Sequence, residues 1–267
     1  MYELKIEKSV IEAGIEKPFR FLHVSDPHMD IRNCENFSQN TEYFENATEF
    51  ALKNDLMVLC TGDNFIYYSE DNKRYALEKF PENAIFIPGN HDFCDDIDDL
   101  HEGDINYREA FIEKWKECYN GDIFCDSKIV NGVNFVTLLD IYYEITKSQL
   151  EFIKKEVEKG YPVILCMHVP FFVADLADSL MAEWAKCGYQ LAPPESYYKN
   201  YSEKDYNAQA ANEDTLKAVE YITNEQRIKC IVAGHVHLNF DGFSDSGKRQ
   251  ICTGELRHGH ARIIEVI

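Results

Sequence analysis

The sequence is poor in positive charge: 27 Lys and Arg stand against 47 Asp and Glu, a formal net charge of −20 with histidine neutral. A polyanion meets net repulsion from such a chain unless a local patch or a bound cation reverses the field, which argues against bulk binding of a nucleic-acid polymer or of an anionic membrane. No stretch approaches the ~18 consecutive apolar residues of a membrane span, so a soluble protein is expected. The nine cysteines contain no CxxC pair. An odd, scattered set is unlike a secreted disulfide scaffold and points to reduced thiols. The opening Met1-Tyr2-Glu3-Leu4-Lys5-Ile6-Glu7 alternates polar and apolar residues, where a secretory signal needs a basic start and a continuous apolar run. A cytoplasmic location is the expectation. Internal repeats, low-complexity tracts and Pro/Gly/Ser linkers are also missing, so a single domain over 1–267 is expected.

What is present is a 45% hydrophobic chain of 267 residues, enough for a sizeable core. Six apolar runs read as buried strands: 19–24, 55–60, 84–87, 134–139, 163–167 and 228–233. Helical patterns lie between most of them. The clearest has Thr146 as N-cap with Gln149 three residues on, then Leu150, Ile153 and Val157 on one face, and Gly160 and Pro162 as stop signals. Others are expected over 37–52, 106–118 and 213–223. Strands alternating with helices predict an α/β architecture with helices covering the sheet core.

Five of the strands are followed by compact polar clusters: Asp26-Pro27-His28, Gly62-Asp63-Asn64, Gly89-Asn90-His91-Asp92, His168 and Gly234-His235-Val236-His237. Ligands of open α/β sheets collect outside the carboxyl ends of strands, so clusters more than two hundred residues apart in sequence have a route to one site. Asp and His with a neutral Asn oxygen suit borderline divalent ions better than calcium or structural zinc. If the segments are extended, residues i and i+2 point the same way, which lets Asp26/His28 and His235/His237 each aim two donors at one place. Neighbouring glycines permit tight turns and close backbone approach.

In these motifs the chain resembles the calcineurin-like metallophosphoesterases, whose order is DxH, GDx, GNH[DE], H and GHxH. All five occur here in order, over about residues 19–240. The resemblance implies a four-layer α/β/β/α sandwich of two mixed sheets flanked by helices. It implies two divalent metal ions, with manganese, iron, zinc and nickel as candidates. Asp26, His28, Asp63 and His237 would hold one ion, and Asp63 would bridge to a second held by Asn90, His168 and His235. By the same resemblance His91 binds no metal and faces the substrate as a catalytic group, with Asp92 orienting it. Such a pair of cations suits phosphoester hydrolysis, because it holds phosphoryl oxygens, activates water and locally inverts the field of an acidic protein.

The Ser/Thr phosphatases of this superfamily carry GDxVDRG. Here Gly62-Asp63 continues as Asn64-Phe65-Ile66-Tyr67-Tyr68, without the Arg and second Asp. The expectation therefore moves from a protein phosphatase toward a phosphatase or phosphodiesterase acting on small phosphate esters. The alternatives are a protein phosphatase and a metal-free protein-binding scaffold of the same fold, whose mark would be lost ligands. For His23, His101, His258 and His260 an ordinary hydrogen-bonded role is expected, and Cys94 reads as a bystander thiol. Asp92 to Asp104 holds seven acidic residues in thirteen and lacks the glycine of an EF-hand loop, so it reads as a solvated loop. Residues 170–211 show weak periodicity and eight aromatics. Two readings stand: an irregular cap over the site, or a satellite core.

Overall fold

The structure, a computed structural model, describes residues 3–32, 34–95, 105–119, 121–184, 188–199 and 201–267. Residues 96–104 of the acidic run, with His101, and the side chain of Trp184 lie outside the described residues. In chain order the strands are β1 (Lys5–Ile11), β2 (Phe19–Val24), β3 (Met57–Thr61), β4 (Ala84–Ile87), β5 (Cys125–Val130), β6 (Val133–Leu138), β7 (Val163–Cys166), β8 (Ile228–Ala233), β9 (Phe240–Phe243), β10 (Arg249–Cys252) and β11 (His260–Val266). The helices are α1 (Cys34–Lys53), α2 (Glu70–Lys79), α3 (Ile105–Trp115), α4 (Lys147–Glu158), α5 (Ala174–Trp184), α6 (Glu195–Tyr198), α7 (Glu203–Gln209) and α8 (Glu213–Asn224). One sheet runs β1-β11-β2-β3-β4 and the other β5-β6-β7-β8-β10-β9, both with parallel and antiparallel neighbours.

Period-two alternation of the strands decides the layering. Phe21 of β2 and Leu59 of β3 point toward Phe135, Ile164 and Val232 of the second sheet, forming the seam between the sheets. Leu22, Val24, Val58 and Cys60 point the other way, onto Phe44, Ala47 and Ala51 of α1 and Trp115 of α3. On the far side, Leu165 and Ile231 pack under Leu150, Ile153 and Val157 of α4 and Ala218 and Ile222 of α8. Burying both faces of the sheets gives a four-layer sandwich of two mixed sheets flanked by helices, the expected fold.

The strong sequence signals land where expected. Thr146 and Gln149 form the reciprocal capping box of α4, and Gly160 follows in the left-handed conformation at φ +86°. Elements without an apolar stripe were not predicted. α2 buries only Asn72 and Ala76, and β5 is half-exposed along most of its length. The expectation of an irregular 170–211 needs correction. That stretch holds α5, α6 and α7, and its Phe171 bridges Leu191 as a strand-like pair. Phe171, Leu180 and Leu191 join the core under the second sheet; spaced so far apart, they give no local period.

Candidate metal centre

The loops after β2, β3 and β4 supply Asp26, His28, Asp63 and Asn90, and those after β7 and β8 supply His168, His235 and His237. Ligand atoms of Asp26, His28, Asp63 and His237 lie within 4.8 Å of one another, and those of Asp63, His168 and His235 do so as well. Asn90 Oδ1 joins the second group, 3.0 Å from His168 Nε2. In the first group Asp26 Oδ1 is 3.2 Å from His237 Nε2, which is 3.3 Å from His28 Nε2. Asp63 presents Oδ2 to His28 at 3.7 Å and Oδ1 to His168 at 3.4 Å, so its two oxygens face different groups.

The backbone achieves this convergence differently from the extended pairs expected from sequence. Asp26, His28, Asp63, His235 and His237 all lie in the left-handed region, at φ +54°, +46°, +50°, +65° and +55°. Asp26 and His28 do meet at one group, but His235 and His237 serve different groups, because each residue reverses the chain locally. Such conformations cost about 1–3 kcal/mol each and persist where surrounding structure fixes them. Part of that fixing is close backbone approach. A Cβ on Gly234 would collide with Ser25 Oγ and crowd the Asp26 carboxylate, and one on Gly89 would overlap Asp63.

Three of the four imidazoles in these groups, all but His28, are oriented through the outer nitrogen. His168 Nδ1 donates to the Thr61 carbonyl at 2.7 Å. His235 Nε2 lies 2.8 Å from Tyr143 Oη, and His237 Nδ1 lies 3.2 Å from Glu255 Oε2. This turns His168 Nε2, His235 Nδ1 and His237 Nε2 inward. The electrostatics are those of a dense donor set. Burial opposes ionisation of Asp63, but His168 and His91 outweigh it and hold the carboxyl well below its usual range. His168 is pulled down by burial and up more strongly by Asp63, to about 10, while burial and the His168 charge push His235 down to about 3. Asp26 Oδ1 is buried and accepts no hydrogen bond. An orphaned buried carboxylate oxygen facing two imidazole nitrogens is the arrangement a cation completes, and the Asp/His/Asn donors fit two divalent ions.

His91 lies at the rim with its ring 4.8 Å from that of His28, and its Nδ1 is 3.1 Å from the Ile66 carbonyl oxygen. The orientation of His91 by Asp92 has no contact to carry it. Asp92 is buried and accepts from the backbone N–H groups of Gly89 (2.8 Å), Phe65 (2.9 Å) and Asn64 (3.1 Å), and burial pushes its carboxyl up to about 7. It braces the loops that carry Asp63 and Asn90. Cys94 is buried with its thiol donating to the Asn90 carbonyl at 3.2 Å. His23 bridges Thr61 and Thr253 hydroxyls at 2.8 and 2.7 Å inside the seam, the ordinary role expected of it.

Sequence reasoning missed Asp140, Tyr143 and Glu255. Asp140 stands two residues after β6, so the strand-end rule applied to the other clusters would have found it. It accepts from the N–H groups of His168 and Val169, both at 2.9 Å. Asp140→Ala leaves those two buried donors unpaired, at about 1–3 kcal/mol each. A fall in Tm of about 5–15 °C in a scanning melt is the expected outcome; an unchanged Tm would remove Asp140 from this bracing role.

Buried and half-buried Asp, Asn and His side chains converge at the carboxyl ends of two facing sheets, an α/β scaffold whose donor groups could hold metal ions. The family model described as calcineurin-like phosphoesterase matches residues 19–239, and the chain belongs to that family. A comparison with curated proteins finds no match. Among solved structures, a dimetal phosphatase from Danio rerio aligns over 91% of this chain and 90% of its own, at 14% identity and a TM-score of 0.51. That likeness is one of fold. A 5'-nucleotidase from Candida albicans aligns over 96% of this chain and 48% of its own, at 9% identity and a TM-score of 0.41. Among the described residues no helix is long and apolar enough to cross a membrane.

Proposed function

We propose that the protein is a two-metal hydrolase of small phosphate esters, with Asp26, His28, Asp63 and His237 holding one ion and Asn90, His168 and His235 joining Asp63 around the other. The observation that carries this reading is the pair of donor groups sharing Asp63. Bound there, two divalent ions supply Lewis acidity that polarises phosphoryl oxygens and makes water nucleophilic at neutral pH. The chain's own contribution is positional. Asp63 and Asp26 stay ionised at neutral pH against burial, so both carboxylates are ready as anionic donors. His91, fixed through Nδ1 by the Ile66 carbonyl, has Nε2 left to give a proton to the leaving oxygen. The calcineurin-like family and the fold of a dimetal phosphatase support hydrolysis over a scaffold role, as does the presence of every ligand. Absence of the GDxVDRG Arg and Asp speaks against a protein phosphatase. The acidic surface speaks against a nucleic-acid polymer, and the free thiols among the described cysteines suit a cytoplasmic setting.

The test is a hydrolysis screen of phosphomonoesters, phosphodiesters and cyclic nucleotides with Mn²⁺, Ni²⁺, Zn²⁺ and Mg²⁺ added to chelator-stripped protein. Metal-dependent turnover of at least one small ester is expected, with activity abolished by chelation. Turnover unaffected by chelation, or none with any metal, would refute the reading.

The reading extends to residues 170–211 as a cap within a single domain. Tyr189 of this segment, at φ +49°, places its ring 6.0 Å from that of His235. A strained aromatic beside an expected ligand suits contact with a base, a sugar or an apolar leaving group. Tyr189→Ala should lower kcat/KM for the preferred substrate about 10-fold while p-nitrophenyl phosphate, bound mainly through the metals, changes little. Equal losses on both substrates in folded, metal-replete protein would rule out the cap.

A further inference from the structure

The inference rests on the two-metal reading above and concerns the side chains behind the ligands. His237 Nδ1 faces Glu255 Oε2 at 3.2 Å. Glu255 is held in turn by Arg257 Nε at 2.5 Å and His258 Nδ1 at 2.5 Å. The Glu255 side chain is only 12% exposed, whereas those of Arg257 and His258 are 30% and 63% exposed. Water therefore screens the flanking Arg257 charge more than it screens the carboxylate. Behind His235 stands Tyr143 Oη at 2.8 Å, a neutral phenol on a buried residue. Tyr143 itself is at φ +55°, a left-handed conformation that marks its position as imposed by its surroundings.

A carboxylate behind a ligating imidazole raises its basicity, and a phenol does so less. The inner atoms differ in the same sense. Asp26 and Asp63 serve the first group, whereas the second shares Asp63 and adds only the neutral Asn90 oxygen to its histidines. Coulomb attraction for a dication therefore favours the first group twice over. We propose that Glu255 and Tyr143 are positioning residues that make the two cation positions unequal, with the Asp26/His28/Asp63/His237 position holding its ion more tightly than the Asn90/His168/His235 position.

The test is calorimetric titration of the chelator-stripped full chain with Mn²⁺ alone, on variants first shown to melt cooperatively. The wild type should bind two ions in steps at least about 10-fold apart in Kd. Asn90→Ala should remove the weaker step. Glu255→Gln, which keeps the side-chain shape, should weaken the tighter step by about 10–100-fold and leave the other within about threefold. Tyr143→Phe, which cannot bond His235, should weaken the weaker step by about fivefold and spare the tighter one. Two steps of equal affinity, loss of the tighter step in Asn90→Ala, or a Glu255→Gln effect confined to the weaker step would each overturn the inference while leaving the two-metal reading intact. If either Glu255→Gln or Tyr143→Phe shifts neither step, the inference is overturned as well. Fewer than two Mn²⁺ per wild-type chain would overturn the two-metal reading itself, and this inference with it.

Discussion

Asp63→Ala should lose both bound metals and nearly all phosphoesterase activity together, with kcat/KM falling by at least ~10³-fold. Asp63 is the residue common to the two donor groups, offering Oδ2 to one and Oδ1 to the other. Its removal takes an anionic oxygen from each group and leaves His28, His168 and their neighbours with less negative charge to hold a cation. Metal ions supply several kcal/mol of transition-state stabilisation, and each 1.36 kcal/mol is a factor of ten in rate. Elemental analysis of purified protein, paired with turnover of a phosphomonoester, checks both halves. Retention of two ions per chain with near-normal turnover would show that Asp63 is not shared. Because Gly89 and His91 also pack on this carboxylate, Asp63→Asn, which preserves its shape, serves as the control for folding.

His91 should behave in the opposite way with respect to metal. Replacement by Asn is expected to leave two ions in place and to lower kcat by ~10²–10⁴-fold on an alkyl phosphate, the range for a lost general acid. The side chain touches the centre through its ring edge on His28 and its Nδ1 contact with the Ile66 carbonyl, and neither is a ligand bond. A nitrophenyl leaving group needs little protonation, so the deficit should shrink on that substrate. An unchanged kcat on the alkyl ester, or metal lost along with activity, would count against an acid role.

The contrast between these residues and those behind them shows what sequence could and could not reveal. The candidate ligands were legible because each sits two to four residues after a buried strand such as Met57–Thr61 or Ile228–Ala233, and buried strands announce themselves by unbroken apolar runs. Their positive φ angles were not legible, since Asp and His carry no obligate backbone signal as glycine does. Tyr143 and Glu255 meet His235 and His237 across 92 and 18 positions. No local pattern encodes such a meeting, which depends on how two loops pack. Asp92 shows the converse error. Its adjacency to His91 in sequence suggested a partnership, yet the short helical turn over His91–Phe93 sends its carboxylate back onto Gly89, Asn64 and Phe65. The edge strands β1 and β9 and the interior strand β11 escaped because polar residues interrupt their apolar runs.

The origin of the donors bears on how the molecule holds together as well as on what it does. Asp26, His28, Asp63 and Asn90 hang from the first sheet, while His168, His235 and His237 hang from the second. Each donor group therefore draws on both halves of the sandwich, at one end of the apolar seam made by Phe21, Phe135 and Val232. An ion that binds only the folded arrangement adds about 2.7 kcal/mol to stability when present at 100 times its Kd. Two such ions would act as rivets between the sheets, so that metal supply governs the mechanical integrity of the sandwich along with its chemistry.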